Sequence, residues 1–395
     1  RSVDGGLPVV MPKDSKGGRI DLQSAARISE QKAQSLSRHF LADGDIIFPR
    51  RGDINKLAIV EDASSVFCGT GCLRIHIPAN GIVPKFLFYF LGQRKVAEWL
   101  EARAIGSTML NLNTSIMRAV EVIFPDYKSQ ERIAVILSNY DDLIENNRRR
   151  IALLEEAARQ LYKEWFVRFR FPGHEHVKII DGVPEGWCTQ SPKEYFDTEI
   201  GGGWGFDEPD GQFSTPAFVI RGTDIPGLKN GGIGGAGIRF DKDSKLEKRY
   251  LSHGDIVFEV SGGSSTQPIA RTLLITSSFL DRFSERVIPA SFCKKVRLKS
   301  WENAVFFHFH TQHSRDVGKI LEYQKESASS LKNFNWKGFL SSYEILQPST
   351  TLRQRFVDEV EGLLLLQENL ARQCDKAKRA RELLLPKLMS GNLAV

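Results

Sequence analysis

The sequence places two guanidinium groups on one glycine-containing turn, Phe48-Pro49-Arg50-Arg51-Gly52-Asp53, with Lys56 close behind. A planar guanidinium matches the paired acceptors of a guanine edge or the oxygens of a phosphate, so an exposed turn of this kind suits nucleic-acid contact. It equally suits plain solvation. A second polar run, Ser261-Gly-Gly-Ser264-Ser265-Thr266-Gln267 with Arg271 following, offers hydroxyls and an amide instead. Ser107, Thr108, Asn111 and Asn113 form a third group, able either to meet a sugar-phosphate backbone or to cap and shape a turn. Arg103 and Lys325 are further phosphate candidates.

Catalytic chemistry finds little to work with. No glycine-rich phosphate loop ending in Lys-Ser or Lys-Thr is present, nor an Asn-Pro-Pro-aromatic methyltransferase motif. Asp210 with Asp243 and Lys245 forms a loose magnesium-nuclease pattern, two carboxylates and a lysine, of a kind that arises easily by chance in a chain with 26% charged residues. His308, His310 and His313, like His174 and His176, invite a metal reading, but the first group falls in an aromatic helix-like stretch. We therefore expect no catalytic residues, metal or cofactor.

The elements that must position the polar groups are written twice. Leu41-Ala-Asp-Gly-Asp-Ile-Ile-Phe48 returns as Leu251-Ser-His-Gly-Asp-Ile-Val-Phe258, 210 residues later. Ser107-Thr-Met-Leu-Asn-Leu-Asn113 returns as Ser329-Ser-Leu-Lys-Asn-Phe-Asn335, offset 222. Between these landmarks, the aromatic stretch from Pro84 to Gly92 matches Asn303 to His310. On this alignment the arginine turn and the Ser261 to Gln267 run occupy equivalent places with different chemistry. Short strand patterns at Asp45–Phe48, Leu57–Val60, Leu73–Ile77, Ile256–Phe258 and Leu273–Ile275 give each copy a mixed α/β character.

Each copy ends in a long helix. Ile133, Leu137, Tyr140, Ile144, Asn147, Ile151, Leu154, Ala158, Leu161 and Trp165 alternate in steps of four and three, and Phe356, Val360, Leu363, Gln367, Leu370, Cys374, Ala377, Arg381, Leu384 and Leu388 repeat that register. Seven-residue periodicity this strict suits another helix better than a globular core, since a straight helix drifts by about 20° per heptad. Each seam is expected to pack on the other. Asn147 and Gln367 interrupt the apolar seams, either as register keys or as tolerated polar residues. Ser129 reads as the first helix's N-cap, and Pro172-Gly173 marks where the chain has left it.

A chain of 395 residues exceeds one ordinary domain. Its 41% hydrophobic content and lack of a long apolar run fit a soluble cytoplasmic protein with no membrane partner, and five scattered cysteines suggest no disulfide framework. The net charge of +6 favours a polyanionic partner only weakly.

The string Gly106-Ser-Thr-Met-Leu-Asn-Leu-Asn113, then Ser129-Gln-Glu-Arg132 opening a helix, then Leu161-Tyr-Lys-Glu-Trp-Phe166, resembles the first central conserved region of a Type I restriction-modification specificity subunit. The ending Leu383-Leu-Leu-Pro-Lys-Leu-Met-Ser-Gly391 resembles that family's C-terminus. The resemblance implies two target-recognition domains, each reading one half of a split asymmetric double-stranded DNA site. It also implies two methyltransferase subunits as partners and restriction motor-nuclease subunits in the full complex. The expected layout is a first recognition domain over 1–125, a long helix over 126–171, a second recognition domain over 172–348 and a second helix over 349–395. The helices are expected to form an antiparallel coiled coil with a pseudo-twofold axis, a rod of about 50 Å that fixes an unread gap between half-sites. By the repeat offset, the first module lacks a counterpart of about 181–210, which leads us to expect a shortened N-terminus. Two alternatives remain at this point, an autonomous magnesium-dependent nuclease and a coiled-coil scaffold with no DNA role.

Overall fold

The computed structural model describes residues 5–23, 25–63, 65–78, 81–105, 111–262, 267–326 and 331–393. The chain divides into two compact units, residues 1–143 with 377–395 and residues 144–376. The division cuts through both long helices, so each unit is a recognition-type module together with a piece of each helix.

The first unit runs β1 (Leu7–Val10), β2 (Ala26–Ile28), β3 (Ile46–Pro49), β4 (Ala58–Ile59), β5 (Phe67–Cys68), β6 (Cys72–Ile75) and an aromatic helix, Pro84–Leu91. β1 pairs antiparallel with β2 and parallel with β5, while β3 pairs antiparallel with β4 and β6. The second unit runs β7 (Phe196–Gly201), β8 (Thr215–Ile220), β9 (Gly237–Asp241), β10 (Asp255–Glu259), β11 (Thr272–Leu274), β12 (Val287–Pro289), β13 (Cys293–Leu298) and its aromatic helix, Trp301–Asp316. β8 again takes one antiparallel neighbour, β9, and one parallel neighbour, β12. β10 again lies between two antiparallel partners, β11 and β13. The repeat found in the sequence is therefore a repeat of topology. β7, on the far side of β13, has no counterpart among the described residues of the first unit.

The Gly-Asp-Ile strands are central because both of their faces are covered. Ile46 and Phe48 of β3 enter the cluster with Phe86, Phe90 and Leu137, whereas Ile47 points the other way, toward Val10 and Val60. In the second unit Ile256 and Phe258 face Phe306, Phe339 and Phe356, and Val257 faces Ile220 and Leu273. Successive strand residues alternate faces, so a strand apolar at every position is one buried between two layers.

The long helices span Tyr127–Phe166 and Thr350–Met389. Asp126 caps the first, accepting hydrogen bonds from both the backbone N–H and the hydroxyl of Ser129; Ser129 lies three residues inside and is not the N-cap. Ser349 does the same work for Leu352 at the second. In the first unit Leu137 shares a core with Leu388, and the Asp141 carboxylate pairs with Arg381. In the second, Ile144 and Asn147 meet Cys374 and Gln373, while Tyr162 and Phe166 pack on Phe356. Residue numbers run in opposite directions along the two helices in either unit, which is antiparallel packing. Ile133, Leu137, Ile144, Asn147, Ile151, Ala158 and Trp165 are buried, as are Phe356, Val360, Leu370, Cys374, Ala377 and Leu388. Tyr140, Leu154, Leu161, Leu363, Gln367 and Leu384 are half-buried, and Tyr162 takes the fully buried place beside Leu161. Asn147 bonds Gln373 at 3.1 Å, so its amide finds its partner off the opposing seam. Gln367 instead lines a cavity of about 80 Å³ with His308, Gln312 and Arg282.

A buried chain of hydrogen bonds ties the first long helix to the second module. Tyr162 Oη lies 2.8 Å from His310 Nδ1, His310 Nε2 lies 2.9 Å from Tyr343 Oη, and Tyr343 donates to Ser314. Burial pushes the His310 imidazole down to about 3, and burial also holds His308 well below its usual range. The unfolded chain takes up these protons near the ordinary value of 6.5, so at lower pH the unfolded state binds more protons than the folded one. Stability is therefore fully present above about pH 6.5 and declines as pH falls toward 3. Urea unfolding of the chain at pH 7 and pH 5 is expected to show a lower midpoint at pH 5, with a shallower decline in His310→Gln; pH-independent midpoints would contradict it.

Candidate nucleic-acid interface

Each unit holds its exposed edge through the same hydrogen bonds. Gly44, at φ 85°, and Gly254, at φ 84°, turn the chain into the central strand through a left-handed conformation that favours glycine. The next residue is a buried aspartate in both cases. Asp45 accepts from Ala42 N–H at 2.9 Å, and Asp255 from Ser252 N–H at 2.7 Å. Their backbone carbonyls accept from Val60 and Ile275. Asp255 also receives a bidentate contact from Arg297 at 2.7 and 2.8 Å, whereas Asp45 pairs with His76 at 2.8 Å. The aspartate holds the guanidinium of Arg297 above its ordinary range, chiefly through this hydrogen bond. A second repeated turn was not recognised in the sequence: Met11 N–H donates to Asp14 and Arg221 N–H to Asp224, both at 2.9 Å.

The central strand then emerges at the surface and is met by a returning segment. Leu112 N–H donates to Arg50 O, and Phe334 N–H to Val260 O, both at 2.8 Å. In the first unit Asn111 bridges to Arg51 on one side and Ile105 on the other. In the second, Asn333 pairs with Ser261 on one side and Lys325 on the other.

The structure distributes the expected contact residues unevenly. Arg50, Arg51, Lys56, Arg103, Gln267 and Lys325 are exposed. Lys56 pairs with Asp53 at 3.3 Å, and Arg103 stacks on Trp99 at 4.0 Å. Arg51 and Ser261 stand on the edges just described. The 51–56 loop is staked into the core by Ile54, which is fully buried, and tied by Asn55 to Glu101. Ser107, Thr108, Ser264, Ser265 and Thr266 lie outside the described residues. Asn113 is a helix cap, its side chain accepting from Ile116 N–H at 2.8 Å, and Asn335 repeats that bond to Gly338. The side-chain oxygen of Asn113 is thus engaged with the helix end. Arg271 does not stand on the surface as an open contact: its guanidinium grips Glu259 at 2.6 and 2.8 Å, with the carboxylate 1% exposed. Satisfying a buried carboxylate outweighs leaving the arginine in water. Arg315 adds bonds to the carbonyls of Pro268 and Ile269, so this end of the polar run is clamped from beneath. Ile105 and Asn333 were not singled out in the sequence, although the offset of 222 from Asn111 points to Asn333.

A family model for the Type I restriction modification DNA specificity domain matches residues 3–156. The chain is 27% identical to the Type I restriction enzyme MjaIX specificity subunit of Methanocaldococcus jannaschii, over 99% of this chain and 88% of that protein. Both likenesses are to specificity subunits of Type I restriction-modification systems. A 29% identical stretch, 35% of the chain, also matches the HindI specificity subunit of Haemophilus influenzae, covering 31% of that protein. The fold is similar to the crystal structure of the Type I restriction-modification S subunit from M. genitalium, with a TM-score of 0.52 at 16% identity, over 98% of this chain and 90% of that one. A specificity subunit is the DNA-recognition component of its system and is not an enzyme.

The nuclease alternative fails on its own residues. Lys245 pairs with Asp241 and not Asp243, and Asp210 forms a tight turn with Phe213. Among the described residues no three His, Cys, Asp or Glu side chains converge on a metal position, and His308 and His310 are bonded to Thr272, Tyr162 and Tyr343. No helix among the described residues is long and apolar enough to cross a membrane. Arg271→Ala is expected to act on stability by stranding Glu259, at a cost of about 3 kcal/mol measured by urea unfolding. An Arg271→Ala, Glu259→Ala double variant should recover part of the loss; a stability unchanged by Arg271→Ala would refute the clamp.

Proposed function

We propose that each unit reads one half of a split, asymmetric double-stranded DNA site through its exposed edge, and that the paired helices dock two methyltransferase subunits. Restriction motor-nuclease subunits join in the full complex. The reading rests above all on one observation: a duplicated backbone framework ends in two exposed edges of different chemistry, arginine-bearing in one unit and hydroxyl- and lysine-bearing in the other. Two copies of one scaffold with identical edges would read a repeated half-site. Two copies with exchanged edges suit an asymmetric one.

In this reading the guanidinium, amide and hydroxyl groups of Arg51, Asn111, Ser261 and Gln267 meet base edges, while Arg50, Lys56, Arg103 and Lys325 contact phosphates. Ser107, Thr108, Ser264, Ser265 and Thr266, neighbours of these residues in sequence, are proposed as further DNA contacts. Asn113 serves by holding the returning segment in place, and Arg271 by fixing the end of the second polar run. No cofactor is assigned to the chain, since methyl transfer and cleavage belong to the partners. The cytoplasm, where DNA and partner enzymes meet, is the compartment this requires.

Phosphate contacts make affinity salt-dependent through counterion release. With four cationic contacts, binding of specific duplex by the chain with its methyltransferase subunits should weaken on the order of a hundredfold between 50 and 200 mM salt. Fluorescence titration at several salt concentrations measures the slope. Absence of any duplex complex at low salt would favour the scaffold reading instead.

A further inference from the structure

The two exposed edges are equivalent residue for residue. Arg51, Asn111 and Ile105 are neighbours across three adjacent backbone segments in the first unit, and Ser261, Asn333 and Lys325 are neighbours across three in the second. Ile105 and Asn111 exchange both backbone hydrogen bonds, at 3.2 and 3.0 Å, the mark of a directly opposed antiparallel pair. Directly opposed residues project to the same face. Each triplet therefore presents three side chains together, with an asparagine in the middle of both.

The flanking positions differ in a way that packing does not require. Ile105 is 64% exposed, an apolar side chain left in water, with Asn111 between it and Arg51. Arg51 is exposed and its side chain has no partner among the described residues, while its backbone is fixed by the bridge to Asn111 and by the buried Ile54 three residues on. In the second unit the Ser261 hydroxyl donates to Asn333 Oδ1 at 2.7 Å, so the middle asparagine is oriented by its neighbour, and Lys325 is exposed on the far side. A guanidinium held on a fixed backbone, with its fork unspent among the described residues, has the geometry to bond guanine O6 and N7 together, and an exposed isoleucine on the far side of Asn111 can meet a thymine methyl.

We propose that Arg51 is the guanine-reading residue of the first unit, and that exchange of the residues flanking a shared asparagine, Arg51 and Ile105 for Ser261 and Lys325, is what makes the two half-sites different. This rests on the half-site reading above and adds to it one base and one residue. Phosphate contact by Arg51 is the competing role, and lysine separates the two because it keeps the charge and loses the fork.

The test compares wild type, Arg51→Lys and Arg51→Gln, each assembled with the methyltransferase subunits, by sequencing methylated adenines across a genomic library. Wild type is expected to give two specified blocks, one containing a guanine that Arg51→Lys reads at least tenfold less stringently, with the other block unchanged. Arg51→Gln should shift the same position toward adenine. Unchanged stringency in both variants, with melting temperatures equal to wild type, would overturn the assignment of Arg51 while leaving the split-site reading intact. Relaxation spread equally over both blocks would also overturn it, because a phosphate contact weakens all sequences alike. A wild-type motif in a single block would sink the half-site reading itself.

Discussion

Two carboxylates buried at the start of the central strands, Asp45 and Asp255, are the constraint on which both units depend. A charge taken out of water is expensive unless hydrogen bonds and counter-charges replace its hydration. Asp255 obtains these from a backbone N–H, from both arms of Arg297 and from Lys295 at 3.6 Å. The same residue's carbonyl takes the N–H of Ile275. One side chain thus locks the turn before β10 and ties it to β13, while its backbone ties it to the end of β11. Asp45 does the same with fewer charges. Gly44 and Gly254 supply the left-handed turn that delivers the carboxylate, which is why Gly-Asp-Ile is the string that appears twice.

Once the central strand is fixed at one end, the rest of each unit follows from it. Its two apolar faces gather two cores, and one of these cores takes in the aromatic helix and part of the long helices. Its other end runs out to the surface at Arg51 in the first unit and at Ser261 in the second, where a returning segment meets it. A rigid interior and a variable rim are separate in this arrangement: the hydrogen bonds from Leu112 to Arg50 and from Phe334 to Val260 use backbone only, so the side chains at the rim can change without disturbing the pairing. Such a scaffold can alter what it reads without altering how it folds.

The features legible in the sequence were those whose signal is local. Gly-Asp-Ile, the aromatic stretches and the heptads each declare themselves within a few residues, and the structure has strands, helices and buried seams at those places. Roles that depend on a distant partner were not legible. Arg271 follows a polar run and looks like part of it, but Glu259, twelve residues earlier and across a strand pair, claims it. Asn113 and Asn111 are two residues apart and chemically identical, yet one caps a helix and the other joins the edge. Ile105 gave no signal, because an isoleucine in sequence is presumed buried until the fold leaves it outside. Asp126 displaced Ser129 as cap because a helix boundary moved by three residues exchanges which side chain faces the free N–H groups.

The central claim is that one scaffold, used twice with different rims, specifies one asymmetric DNA site for partner enzymes. It is tested most directly by expressing the chain with its methyltransferase subunits and determining, by sequencing of methylated adenines, the motif they modify. The account predicts a single motif of two short, different blocks separated by an unread gap of constant length. A continuous motif, a palindrome built from two identical blocks, or methylation whose gap varies from site to site would contradict it.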